Sequence, residues 1–74
     1  MSFAVQNNNK EYTNLTNREY DVLELISYGY SNREIADRLF VSTHTIKAHI
    51  SSLLYKIGAK NKAEATRIYL TRLI

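Results

Sequence analysis

Two histidines, close to several hydroxyls, are the first residues of this 74-residue chain to weigh for catalysis or metal binding. Their spacing argues against both. His44 and His49 stand five positions apart, about 140° around a helix, so they cannot chelate one ion as an i, i+4 pair would. Cysteine is absent, which removes disulfides and thiolate ligands and fits a reducing compartment. Serines lie near the histidines, but Glu64 is the only acid after residue 40, and no acid is placed to orient an imidazole. So short a chain has no room for a second core or a deep cleft. No enzyme activity and no cofactor are expected. His49 borders an apolar stripe and reads as a core-edge residue, whereas His44 falls in a first helical turn, in position for a phosphate.

Charge is distributed unevenly. Residues 1–40 carry four Lys/Arg and six Asp/Glu, a balance of −2, whereas residues 41–74 carry six Lys/Arg and one Glu, a balance of +5. A basic half attached to an acidic one suits a polyanion partner, although a solvated basic face has the same composition. No apolar run approaches the ~20 residues of a membrane span. The N-terminus lacks the basic-then-apolar pattern of a secretory signal. No membrane association and a cytoplasmic, nucleoid-associated location are expected.

The helices that carry these groups declare themselves through caps. Thr16-Asn17-Arg18-Glu19 and Ser31-Asn32-Arg33-Glu34 are capping boxes, Ser42 caps a third start, and Asn61-Lys62-Ala63-Glu64 opens a fourth. Gly29 and Gly58 fall where the first and third helices should stop. No stretch alternates apolar and polar residues as a strand would. Residues 1–13, with Gln6-Asn7-Asn8-Asn9, read as a flexible N-terminal arm. The expectation is an all-α domain over residues 14–74, with helices at about 17–28, 32–39, 43–57 and 62–73.

Only Phe40-Val41-Ser42 separate the second and third helices, and so short a link forces a steep crossing, either a helix-turn-helix or an ordinary helical corner. Ala36 is small enough to let the two approach closely. On the third helix, Ile46, Ile50, Leu53 and Ile57 form a buried stripe. His44, Ala48, Ser51 and Tyr55 lie nearly opposite, with Lys47 and Ser52 on the flanks. No acid occurs anywhere on 43–57. Small residues let a helix sink into a major groove, and one long cation can reach a base edge or a phosphate.

The fourth helix has two apolar stripes. Ala65, Ile68 and Tyr69 form one, and Ala63, Leu70 and Ile74 the other, with Arg67 between them. A helix that is apolar on two sides needs a second partner, and the same helix of another copy supplies it by two-fold symmetry. Ala63, Thr66, Arg67, Leu70 and Ile74 are the expected dimer interface. The alternative is that Leu70 and Ile74 fold back onto the domain.

The run Leu15-Thr16-Asn17-Arg18-Glu19, Val22-Leu23, then Gly29-Tyr30-Ser31-Asn32-Arg33-Glu34-Ile35-Ala36, Ser42-Thr43-His44-Thr45-Ile46-Lys47-Ala48-His49-Ile50 and Lys56-Ile57-Gly58 resembles the LuxR/FixJ-type helix-turn-helix, from about Leu15 to Leu70. In its short, free-standing form the chain resembles the spore-germination regulator type. The resemblance implies bacterial transcription regulation, recognition by the third helix and dimerisation through the fourth. It puts Lys47, Ala48 and Ser51 at base-reading positions. It puts Thr45, Asn32 and Ser42 at phosphate-gripping positions, with Lys56 and Lys60 as further backbone contacts. The implied partners are double-stranded DNA with a pseudo-palindromic site and a second copy of the chain, with RNA polymerase or a related regulator as further candidates. A protein-interaction module that pairs with related regulators is the competing reading. Asn17 stands where many members have proline, and Lys62 replaces a more usual arginine.

Overall fold

Side-chain oxygens at Thr16, Ser31, Ser42 and Asn61 each accept the backbone N–H three residues on, at 2.8–3.1 Å, and four helices begin there. In the computed structural model, which describes residues 14–73 with side chains through Thr71, these are α1 (Asn17–Ser27), α2 (Asn32–Leu39), α3 (Thr43–Ile57) and α4 (Lys62–Leu73). The expected arm, residues 1–13, and Ile74 lie outside the described residues. No strand occurs among the described residues, and the all-α expectation holds.

Both capping boxes close. Glu19 Oε1 accepts from the Thr16 N–H at 2.9 Å, and Glu34 Oε1 from the Ser31 N–H at 2.8 Å. Each cap contributes about 1 kcal/mol by satisfying amides that the helix itself cannot. At α4 the carboxylate reaches one residue further back, with Glu64 Oε1 accepting from the Lys60 N–H at 2.6 Å.

The first three helices end alike. The N–H groups of Tyr30, Val41 and Ala59 return to the carbonyls of Leu25, Ala36 and Leu54 at 3.3, 3.0 and 2.9 Å. That closure needs a left-handed residue just before the donor. Gly29 (φ 91°) and Gly58 (φ 75°) supply it where the glycines predict it. The α1 helix stops at Ser27, one residue short of expectation, because Tyr28 is already its C-cap.

The third case differs, because Phe40 at φ 60° takes the left-handed role without being glycine. Its ring is 93% exposed, so no packing offsets the ~1–2 kcal/mol that a side chain costs there. Phe40→Gly should therefore raise stability by about 0.5 kcal/mol, after allowing for the freer unfolded chain. Urea midpoints would measure this, and a clear loss of stability would mean that the ring has a structural partner.

The core follows the helical periodicities. Val22, Leu23 and Ile26 of α1, Ile35 and Ala36 of α2, Ile46, Ile50 and Leu53 of α3 and Ala65 of α4 are buried together with Leu15. Leu39, Ile57, Ile68 and Tyr69 pack against them half-buried. Because α1 packs on both α3 and α4 while α2 packs on α3, the opposite face of α3 turns outward. Among the described residues no helix is long and apolar enough to cross a membrane.

Candidate nucleic-acid interface

The side chains of α3 divide by angle. Ile46, Ile50 and Leu53 face the core, whereas His44, Lys47, Ala48, Ser51 and Tyr55 are all exposed. Small or neutral groups thus surround one lysine on a surface without a carboxylate. His49 is half-buried at the core edge. Among the described residues no cluster of acids and histidines could hold a metal ion.

The cations separate into committed and uncommitted ones. Arg18 lies 3.8 Å from Asp21, and Arg67 lies 3.5 Å from Glu64. Arg38 stacks over the Tyr30 ring at 4.0 Å. Lys62 Nζ donates to Asn32 Oδ1 at 2.9 Å, joining the start of α4 to the start of α2. Lys56, the second lysine of α3, donates from Nζ to Glu19 Oε1 at 2.9 Å. Lys47 has no such partner among the described residues and stands exposed.

Sequence reasoning missed the Glu19 cluster. Glu19 reads as half of a capping box, Ser52 as a flank of the outer face and Lys56 as a phosphate contact. Glu19 keeps its capping role and is also 4% exposed, with Oε1 accepting from the Thr16 N–H and Lys56 Nζ, and Oε2 from Ser52 Oγ at 2.7 Å. Burial pushes the Glu19 carboxyl up, but hydrogen bonds from Lys56, Ser52 and Thr16, with the charge of Lys56, outweigh it and lower it from 4.5 to about 2. Removing either member of a buried pair costs about 3–5 kcal/mol. That exceeds the ~0–1 kcal/mol of an exposed ion pair, so Lys56 stays with Glu19. The phosphate contact expected of Lys56 would thus start from an ammonium already paired with Glu19. The available signal was Ser52 and Lys56 at i, i+4 beside the apolar stripe.

The other expected phosphate contacts are spread along one edge. Ser42 and His44 are exposed at the start of α3, and Thr45 is half-buried. Ser42 Oγ accepts from the Thr45 N–H and donates to Thr45 Oγ1, each at 3.0 Å. Asn32 is half-buried and Lys60 exposed. On α4, Ala65 is fully buried, whereas Leu70 is 45% exposed; Ala63 and Arg67 are exposed and Thr66 is half-buried. The second stripe thus does face away from the core as far as Leu70.

This arrangement of helices, with a short α2 joined by Phe40-Val41-Ser42 to a longer α3, coincides with a family match. Residues 13–69 match the family described as bacterial regulatory proteins, luxR family. The chain belongs to the LuxR family. Relatives include the oxygen regulatory protein NreC of Staphylococcus aureus strains JH9 and USA300, each 42% identical over 67 residues. The match covers 81% of this chain and 31% of each relative, so the chain spans about a third of the length of the curated relatives it matches. As a LuxR-family helix-turn-helix, it is a DNA-binding domain of the kind used in transcription regulation.

Proposed function

We propose that this LuxR-family domain reads a specific DNA site by inserting α3 into the major groove, and that it acts as a homodimer through α4. One observation carries the reading: the exposed face of α3 holds His44, Lys47, Ala48, Ser51 and Tyr55 and no carboxylate. A major groove about 12 Å wide admits such a helix, and the small Ala48 and Ser51 permit close approach. Lys47, Ala48 and Ser51 meet the base edges. Asn32, Ser42, His44, Thr45 and Lys60 border the phosphates. Asn32 Oδ1 accepts from Lys62 Nζ, which leaves its Nδ2 hydrogens as donors for a phosphate oxygen. Lys56 is not part of this set. With side chains this short, ordered water and DNA shape share in the specificity.

The test is the binding of the chain to duplexes selected from a random pool, followed as salt is raised. Expected is one preferred, pseudo-palindromic site and affinity that falls steeply with salt. Absence of salt-sensitive binding at about 50 mM would sink the reading.

Dimerisation rests on Ala63, Thr66, Arg67 and Leu70, where a half-exposed leucine continues an outward apolar stripe. Two copies would read half-sites about one helical turn apart, and linkage raises the affinity of each for its half-site. Leu70→Glu should leave a folded monomer with weaker affinity for the selected site. Sedimentation checks this, and an unmutated chain that stays monomeric on a palindromic duplex contradicts it. The same exposed face of α4 also favours a second reading, pairing with another LuxR-family regulator. Heterodimer formation without DNA binding by the isolated chain would favour that alternative.

A further inference from the structure

Along one flank of the exposed face of α3 lies the buried carboxylate of Glu19. Ser52 and Lys56, which it holds through Oε2 and Oε1, are the immediate neighbours of the exposed Ser51 and Tyr55. Two grips one turn apart on the same helix resist its rolling about its axis, and a roll of one residue turns a different face outward by about 100°. The grip is anchored in turn, because Glu19 Oε1 also accepts from the Thr16 N–H at 2.9 Å at the start of α1. It has an electrostatic consequence as well. Of the two lysines on α3, it engages one and leaves Lys47 exposed.

We infer that Glu19 is a specificity-positioning residue for DNA recognition, which fixes the roll of α3 through Ser52 and Lys56 and withholds the Lys56 charge from the phosphate backbone. The inference rests on the reading in which the exposed face of α3 meets DNA. Each phosphate that a protein neutralises strengthens binding to every sequence alike, so a cation held back lowers non-specific affinity without touching base contacts. Lys56 cannot leave for a phosphate without stranding a buried carboxylate. The cluster therefore keeps the ratio of specific to non-specific binding high.

The experiment compares the unmutated chain with Lys56→Gln, Glu19→Gln and the double variant. Each is titrated with salt on the preferred duplex from a random pool and on random-sequence duplex, and circular dichroism checks that it is folded. Lys56→Gln should leave the salt slope unchanged on both DNAs, because Lys56 touches no phosphate. Glu19→Gln should release Lys56, steepening the log–log slope on random duplex by about 0.9 per bound protomer and lowering the ratio of specific to random affinity several-fold. The double variant should return to the original slope, which loss of structure alone would not produce. A folded Lys56→Gln whose slope flattens by about 0.9 per protomer overturns the inference, as does a folded Glu19→Gln with slope and ratio unchanged. Should Glu19→Gln fail to fold, Lys56→Gln decides the matter alone. Failure of the underlying reading looks different, since the unmutated chain would then show no salt-sensitive binding at all.

Discussion

Glu19→Ala is expected to destabilise the domain by about 3–5 kcal/mol. The substitution removes the carboxylate that accepts from Thr16, Ser52 and Lys56, opens the α1 capping box and leaves Lys56, whose side chain is 26% exposed, without its partner. Domains of this size have only about 5–15 kcal/mol in hand, and each kcal/mol lowers the melting temperature by roughly 4–8 °C. Thermal and urea unfolding at neutral pH measure the loss, and a melting temperature within a degree of the original would refute the account. The pH dependence follows from the same group. Glu19 is lowered from 4.5 to about 2, so its ionised form contributes stability that is fully present above about pH 4.5 and lost as pH falls through about 2. A depression of that size corresponds to about 3 kcal/mol. Glu19→Gln should abolish this part of the acid sensitivity, leaving a flatter stability profile between those pH values.

Lys47→Ala should weaken binding to the preferred duplex by about 1–3 kcal/mol, a factor of roughly 5 to 150. Lys47 is the exposed lysine of a helix whose other lysine is engaged by Glu19, and it is flanked by residues too short to take over its reach. Little effect on stability is expected, since the side chain is exposed and touches no carboxylate. Comparing the two DNAs identifies what Lys47 contacts. Loss confined to the preferred site, with relaxed preference at one base position, indicates a base edge. Equal loss on random duplex, with a salt slope reduced by about 1, indicates a phosphate. No loss on either DNA would remove Lys47 from the interface and with it the main support for groove entry by α3.

Much of this protein was legible without coordinates because the signals are local. Thr16, Ser31, Ser42 and Asn61 announce helix starts that form within three residues of each cap. Gly29 and Gly58 mark stops through a backbone conformation that few other residues adopt readily. The period of Ile46, Ile50 and Leu53 separates a buried face of α3 from an exposed one, and the motifs around Ser31 and Ser42 carry the LuxR family. Phe40 shows the limit of that legibility, since nothing in its type predicts a left-handed turn. Closure of the α2 terminus imposes it through the Val41 N–H and the Ala36 carbonyl, 3.0 Å apart.

Capping and periodicity act over a few residues, so the four helices, their order and the faces of each are already written in the chain. Which faces meet depends on packing between distant residues. Ser52 and Lys56 lie 33 and 37 positions from Glu19, and Lys62 lies 30 from Asn32, separations at which periodicity carries no information. Lys56 and Lys47 are the same residue type on the same helix, and the sequence offers both as DNA contacts. Their different surroundings arise because packing brings a buried carboxylate to one of them and leaves the other in water.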